Sequence, residues 1–106
     1  MVSLISRIIG ALTGNPATPE VPQRGEPTLY EGLSICAGPI KEGSQWRMSG
    51  VIIKHGDEVD MERTFTRADT FYTRADAESF SIRKGKQIID EQGSKLFENG
   101  EEQGRA

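Results

Sequence analysis

The hydrophobic pattern of this chain changes period three times. Residues 2–12 place Val2, Leu4, Ile5, Ile8, Ile9 and Leu12 on one side of a helical wheel and Ser3, Ser6, Arg7 and Gly10 on the other, which predicts a short amphipathic helix. At about three turns, such a helix is marginal in water without a surface to pack on. Thr13 to Thr28 has no period and contains Gly14, Pro16, Pro19, Pro22, Gly25 and Pro27. Each proline removes a backbone donor and restricts the residue before it, so this stretch reads as an extended linker. From Leu29 the period becomes two. Leu33, Ile35 and Ala37 alternate with Ser34 and Cys36 in a first strand, 29–37. Trp46, Met48 and Ile52 share a face of a second, from Gln45 to about Lys54, and Val59, Met61 and Phe65 alternate with Asp60, Glu62 and Thr64 in a third, 58–66.

The punctuation agrees with these segments. Gly38-Pro39 ends the first strand, Lys41-Glu42-Gly43-Ser44 is a polar turn, and His55-Gly56-Asp57 is read as a hairpin turn. Gly50 within the second strand predicts a bulge or a close backbone approach. Arg63 is the one charged residue on the inner face of the third, where its stem would snorkel past an edge. After a connection over 67–72, in which Phe71 fills space between sheet and helix, the period becomes helical. Thr73 suits an N-cap with Asp76 three positions on, and Gly93 suits a C-terminal stop, so a helix is expected over 74–92. Its apolar arc holds Ala77, Phe80, Ile82, Ile88 and Ile89, with Ser81, Gly85 and Gln92 near its middle. A mid-helix glycine costs about 1 kcal/mol relative to alanine, so Gly85 implies close packing of the helix on the sheet. The expected architecture is therefore α+β, a three-stranded antiparallel sheet with one long C-terminal helix packed on one face. Residues 1–28 form the amphipathic segment and linker, 29–97 the β-β-β-α domain, and 98–106 a disordered acidic tail.

Composition narrows the chemistry. The chain has 106 residues and a formal net charge of −3, without the basic surplus usual in nucleic-acid binders. The charge is uneven, however: Arg67, Arg74, Arg83, Lys84 and Lys86 face only Asp69, Asp76 and Glu78, whereas acids dominate from Asp90 onward. Cys36 is the only cysteine and His55 the only histidine, so no intramolecular disulfide forms and no zinc-ligand spacing exists. The first apolar stretch lacks a basic leader, and no run of roughly twenty apolar residues occurs; the expected location is cytoplasmic.

Each standard catalytic motif fails at a named residue. There is no Gly-x-Ser-x-Gly elbow, and both Ser-His-Asp and Cys-His chemistry would depend on His55 in its turn. Gly85-Lys86 resembles the end of a phosphate loop, but Phe80 and Gln87 occupy two of its required positions. Asp90 and Glu91 diverge by about 100° on a helix and cannot face one another. No enzyme and no cofactor are expected. The remaining constellation is basic: Arg83, Lys84 and Lys86, with Arg67 and Arg74, are the candidate contacts to a phosphate backbone, and Trp46, Phe71 or Tyr72 would add stacking if exposed.

Phe65-x-Arg67-Ala68-Asp69-x-Phe71, Ala77-x-x-Phe80, Lys84-Gly85-Lys86-Gln87-x-Ile89-Asp90-Glu91-Gln92-Gly93 and Leu96-Phe97, together with Tyr30-x-Gly32 and Pro39-Ile40, resemble the HlyU-like family. These are small bacterial proteins, found especially in alphaproteobacteria, whose name designates haemolysin transcriptional activators. The likeness spans about two-thirds of the chain, with 84–93 its most specific part. It implies a DNA-binding regulator, although the pattern offers one strong helix where activators commonly brace a recognition helix with a second. The alternative is a protein-interaction module without direct DNA binding. It would use the open sheet face or an edge, which also permits self-association, with residues 2–12 docking on a partner or a membrane surface.

Overall fold

The structure is a computed structural model that describes residues 24–106. The amphipathic helix expected over 2–12 and most of the linker lie outside the described residues. Six strands form one sheet rather than the expected three: β1 (Thr28–Tyr30), β2 (Leu33–Ala37), β3 (Ile40–Glu42), β4 (Gln45–Lys54), β5 (Met61–Phe71) and β6 (Gln103–Arg105). Their order is β1-β2-β4-β5-β6, with β3 also paired to β4. Every pairing is antiparallel except that of β6 with β5.

The expected trio, β2, β4 and β5, is the centre of this sheet, and each addition has a local cause. Gly32, at φ 78°, follows Glu31 at φ 53° in a tight turn that folds β1 back on β2. The Gly43 turn returns β3 onto β4. β5 runs later than expected because 55–60 forms a full loop, in which the Gly56 amide donates to Asp60 Oδ1 at 3.3 Å, and because Thr70 and Phe71 still pair with Arg47 and Trp46. A register shift falls between Arg47 and Ser49, whereas Gly50 pairs in regular register with Phe65 and is instead a close approach. The tail expected to be disordered supplies β6, which lies along the free edge of β5. There Glu62 donates its amide to the Glu102 carbonyl at 2.7 Å, and Ala106 donates to Thr64 at 2.8 Å.

The helix α1 (Arg74–Gln92) has the expected bounds, and a 3-10 turn, Gly93–Phe97, follows it. Thr73 Oγ1 accepts from the Asp76 amide at 3.1 Å, satisfying one otherwise orphan donor. Gly93, at φ 54°, ends the helix in a conformation that side-chain-bearing residues avoid. Ile35, Ile52, Phe65, Ile88, Ile89, Leu96 and Phe97 make the core between sheet and helix. Two glycines set its spacing. A β-carbon on Gly85 would lie 2.6 Å from Ile35 Cγ2, and one on Gly50 would lie 2.7 Å from Phe65 Cζ and 2.8 Å from the Cys36 carbonyl oxygen. The helix therefore sits hard on β2, as the lone mid-helix glycine implied. Ser81, also buried, accepts from the Ser49 amide at 3.3 Å, so this hydroxyl in the apolar arc satisfies a sheet donor freed at the register shift.

Arg63 departs from expectation. Rather than snorkelling past an edge, it is 2% exposed in the core. Its guanidinium donates to the Leu96 carbonyl at 2.9 Å, its own neighbour Glu62's carbonyl at 2.7 Å and Asn99 Oδ1 at 2.7 Å, and it lies 4.8 Å from the centre of the Phe97 ring. The charge is buried against neutral acceptors and an aromatic face, which together tie β5 to the 3-10 turn.

Candidate nucleic-acid interface

The five bases singled out in the sequence do not form one surface. Successive helical residues turn by about 100°, so Lys84 and Lys86 lie on opposite flanks of α1. Lys84 donates to Gln87 Oε1 at 3.0 Å. Lys86 lies 5.5 Å from the centre of the Tyr30 ring, beside the hydrogen bond from the Tyr30 hydroxyl to Asp90 Oδ1 at 2.8 Å. That bond, with the nearby negative charge, raises the Tyr30 pKa above its ordinary value.

Arg74 and Arg83 belong to another neighbourhood, the aromatic rings where the first half of α1 meets β4 and β5, to which Arg67 is tied through its backbone carbonyl. Arg74 lies 5.5 Å and Lys41 5.0 Å from the centre of the Trp46 ring. Phe71 and Phe80 stack with centroids 4.9 Å apart and planes 9° from parallel, and Arg83 lies 4.9 Å from the Phe80 centroid. Tyr72, next to Phe71, is 80% exposed. The pairing that builds this neighbourhood is β-sheet register: Trp46 opposes Phe71 and Arg47 opposes Thr70. Arg47 also donates to the Arg67 carbonyl at 3.3 Å.

Two carboxylates moderate the charge. Glu42 accepts a bidentate pair from Arg47, which holds its carboxyl below the usual carboxylate range, and Glu78 pairs with Arg74 at 3.0 Å. Lys41, Arg67 and Arg83 have no carboxylate at ion-pair distance among the described residues. Cations interleaved with aromatic rings can meet phosphates with the former and unstacked or terminal bases with the latter. The sequence signal for Arg67, Arg74 and Arg83 was charge. Trp46 is already a stacking candidate in the sequence; Lys41 joins them only through its strand pairing with Trp46, which charge spacing does not report.

A second arrangement escaped the sequence. Ser34 Oγ lies 2.9 Å from His55 Nε2, and His55 Nδ1 lies 3.4 Å from Asp60 Oδ2. This is the order of nucleophile, base and orienting acid, created because Ser34 pairs with Ile53, two residues before His55. The Ser34 side is closed, however. The residue is 3% exposed within β2, and the trio clasps the 55–60 loop to the sheet. No group of three or more metal-binding side chains occurs among the described residues, and none of the described helices is long and apolar enough to cross a membrane.

No curated protein and no solved structure matches the chain. A family model described as transcriptional activator HlyU matches residues 3–97, most of the chain, including five of the six strands and the whole of α1. The chain belongs to the HlyU family of transcriptional activators.

Proposed function

We propose that this protein is a small non-enzymatic regulator that touches DNA through the aromatic, basic patch of the domain. The observation that supports this most is the clustering of Lys41, Arg74 and Arg83 over Trp46 and Phe80, beside exposed Tyr72. The family description points the same way. Phosphate contacts of this kind position a protein on a duplex without reading its sequence.

Trp46 is the only tryptophan, so its emission reports on this patch directly. Titration with random duplex DNA should quench it, with a Kd in the region of 10⁻⁶–10⁻⁴ M that weakens steeply with salt. Replacing Lys41, Arg67 and Arg83 together by alanine is expected to weaken binding at least tenfold and to shallow the salt slope by about 0.9 for each phosphate no longer neutralised. The Lys84→Ala/Lys86→Ala variant, altered on the two flanks, should bind nearly as the parent does. Absence of binding at low salt would overturn direct DNA contact. Equal losses of affinity in the two variants would move the interface to the helix as a whole.

A further inference from the structure

The helix and 3-10 turn cover one face of the sheet. On the other face, at positions alternating with Ile35 and Ile52, Cys36, Val51 and Ile53 form a second apolar cluster, only 6%, 2% and 9% exposed. No described helix lies over them. Beside the cluster is a hollow of about 470 Å³, whose lining includes Arg24, Cys36, Val51, Thr64 and Arg105. A small domain has little apolar surface to bury, and keeping each large aliphatic side chain of this face out of water contributes about 1.5–3 kcal/mol.

The chain itself arrives at this face. Arg24, on the lining of the hollow, pairs with Glu62 at 2.9 Å, and the Gly25 amide donates to the Ala37 carbonyl at 2.7 Å, so the described chain begins at the rim of the hollow. Upstream, Thr13–Gln23 can reach about 36 Å when extended, more than the roughly 20 Å across five strands. Residues 2–12, about 16 Å long as a helix, carry an aliphatic stripe without any acidic residue. The family match begins at residue 3, so this stripe is part of the same family pattern as the sheet.

We propose that residues 2–12 seat their aliphatic side on Cys36, Val51 and Ile53 of the same chain, as the second layer over the sheet. Arg7 and the serines of the stripe's opposite side then face water.

Cys36, the only thiol, reads out this seating. Burial pushes its pKa up, and in the full chain it should react slowly with a maleimide. The full-length Ile5→Asp/Ile9→Asp variant, with Trp46 emission and circular dichroism unchanged, is expected to react at least tenfold faster. Independently, a full-length Ile5→Cys variant treated with a short bis-maleimide at micromolar concentration should cross-link to Cys36 as a monomer. Equal labelling rates in the folded variant and the parent would overturn the proposal, as would a failure to cross-link. A cross-linked dimer would overturn it too, because the segment covering the face would then come from a second copy.

Discussion

Arg63→Ala is expected to destabilise the domain by about 3–4 kcal/mol, combining a lost buried side chain with carbonyl and amide acceptors left unpaired. At roughly 4–8 °C per kcal/mol for a domain of this size, the melting temperature should fall by about 15–25 °C, which scanning calorimetry or thermal circular dichroism measures directly. The size of the effect follows from what the guanidinium holds. It is the shared donor to Leu96, Glu62 and Asn99 and the cation over Phe97, so its removal loosens the 3-10 turn and the residues leading into β6 together. Two further substitutions separate charge from shape. Arg63→Lys keeps the charge and loses the planar fork, and should recover less than half of the loss. Arg63→Met fills the volume and removes the cost of burying a cation, and should be milder than alanine, at about 1–2 kcal/mol. If alanine and methionine melted together, packing would be irrelevant at this site and the hydrogen bonds alone would carry it.

Gly85→Leu should be the other severe change. A β-carbon alone would stand 2.6 Å from Ile35 Cγ2, closer than packed carbons approach, and Ile35 is itself fully buried. Overpacking of this kind costs about 1–3 kcal/mol even for small insertions, and leucine adds three more carbons, so a loss of about 3 kcal/mol or more is expected in a urea titration. Alanine is the sharper test because two effects oppose. Helix propensity favours Ala over Gly by about 1 kcal/mol, yet the clash should outweigh it and leave Gly85→Ala less stable than the parent. In Gly85→Ala/Ile35→Ala the space is restored. The double mutant should therefore be more stable than the sum of the single losses predicts, a coupling of about 1 kcal/mol or more between touching residues. A stabilised Gly85→Ala would show that the helix can shift off β2 at little cost.

The helix was legible to the residue because its signals are local: Thr73 caps it, Gly93 stops it, and Ala77, Ile88 and Ile89 recur at helical spacing. The central strands were legible from alternation for the same reason. What the sequence did not disclose depends on contacts between distant segments. Gln103-Gly104-Arg105 has no strand-forming composition; it is extended because the edge of β5 offers it backbone partners. Arg63 reads as an intruder in an apolar row until Leu96 and Asn99 fold back to accept its protons. The basic run at 83–86 reads as a cluster along the chain, but helical rotation disperses it, whereas sheet register gathers Lys41, Trp46, Phe71 and Arg74 from separate segments. The same register brings Ser34 to His55 across 21 positions.

The parallel strand β6 also bears on the order in which the molecule can be completed. β5 leaves the ribosome about 40 residues ahead of the segment that pairs with Glu62 to Thr64. Until that segment emerges, the outer edge of β5 presents unsatisfied amides and carbonyls, the kind of edge on which nascent chains pair with one another. Arg63 is on the same stretch, and its acceptors at Leu96 and Asn99 are also late to arrive. Any copy in which that segment is not docked is thus exposed to cross-pairing along β5. Deleting residues 103–106 would leave that edge open and should raise the insoluble fraction.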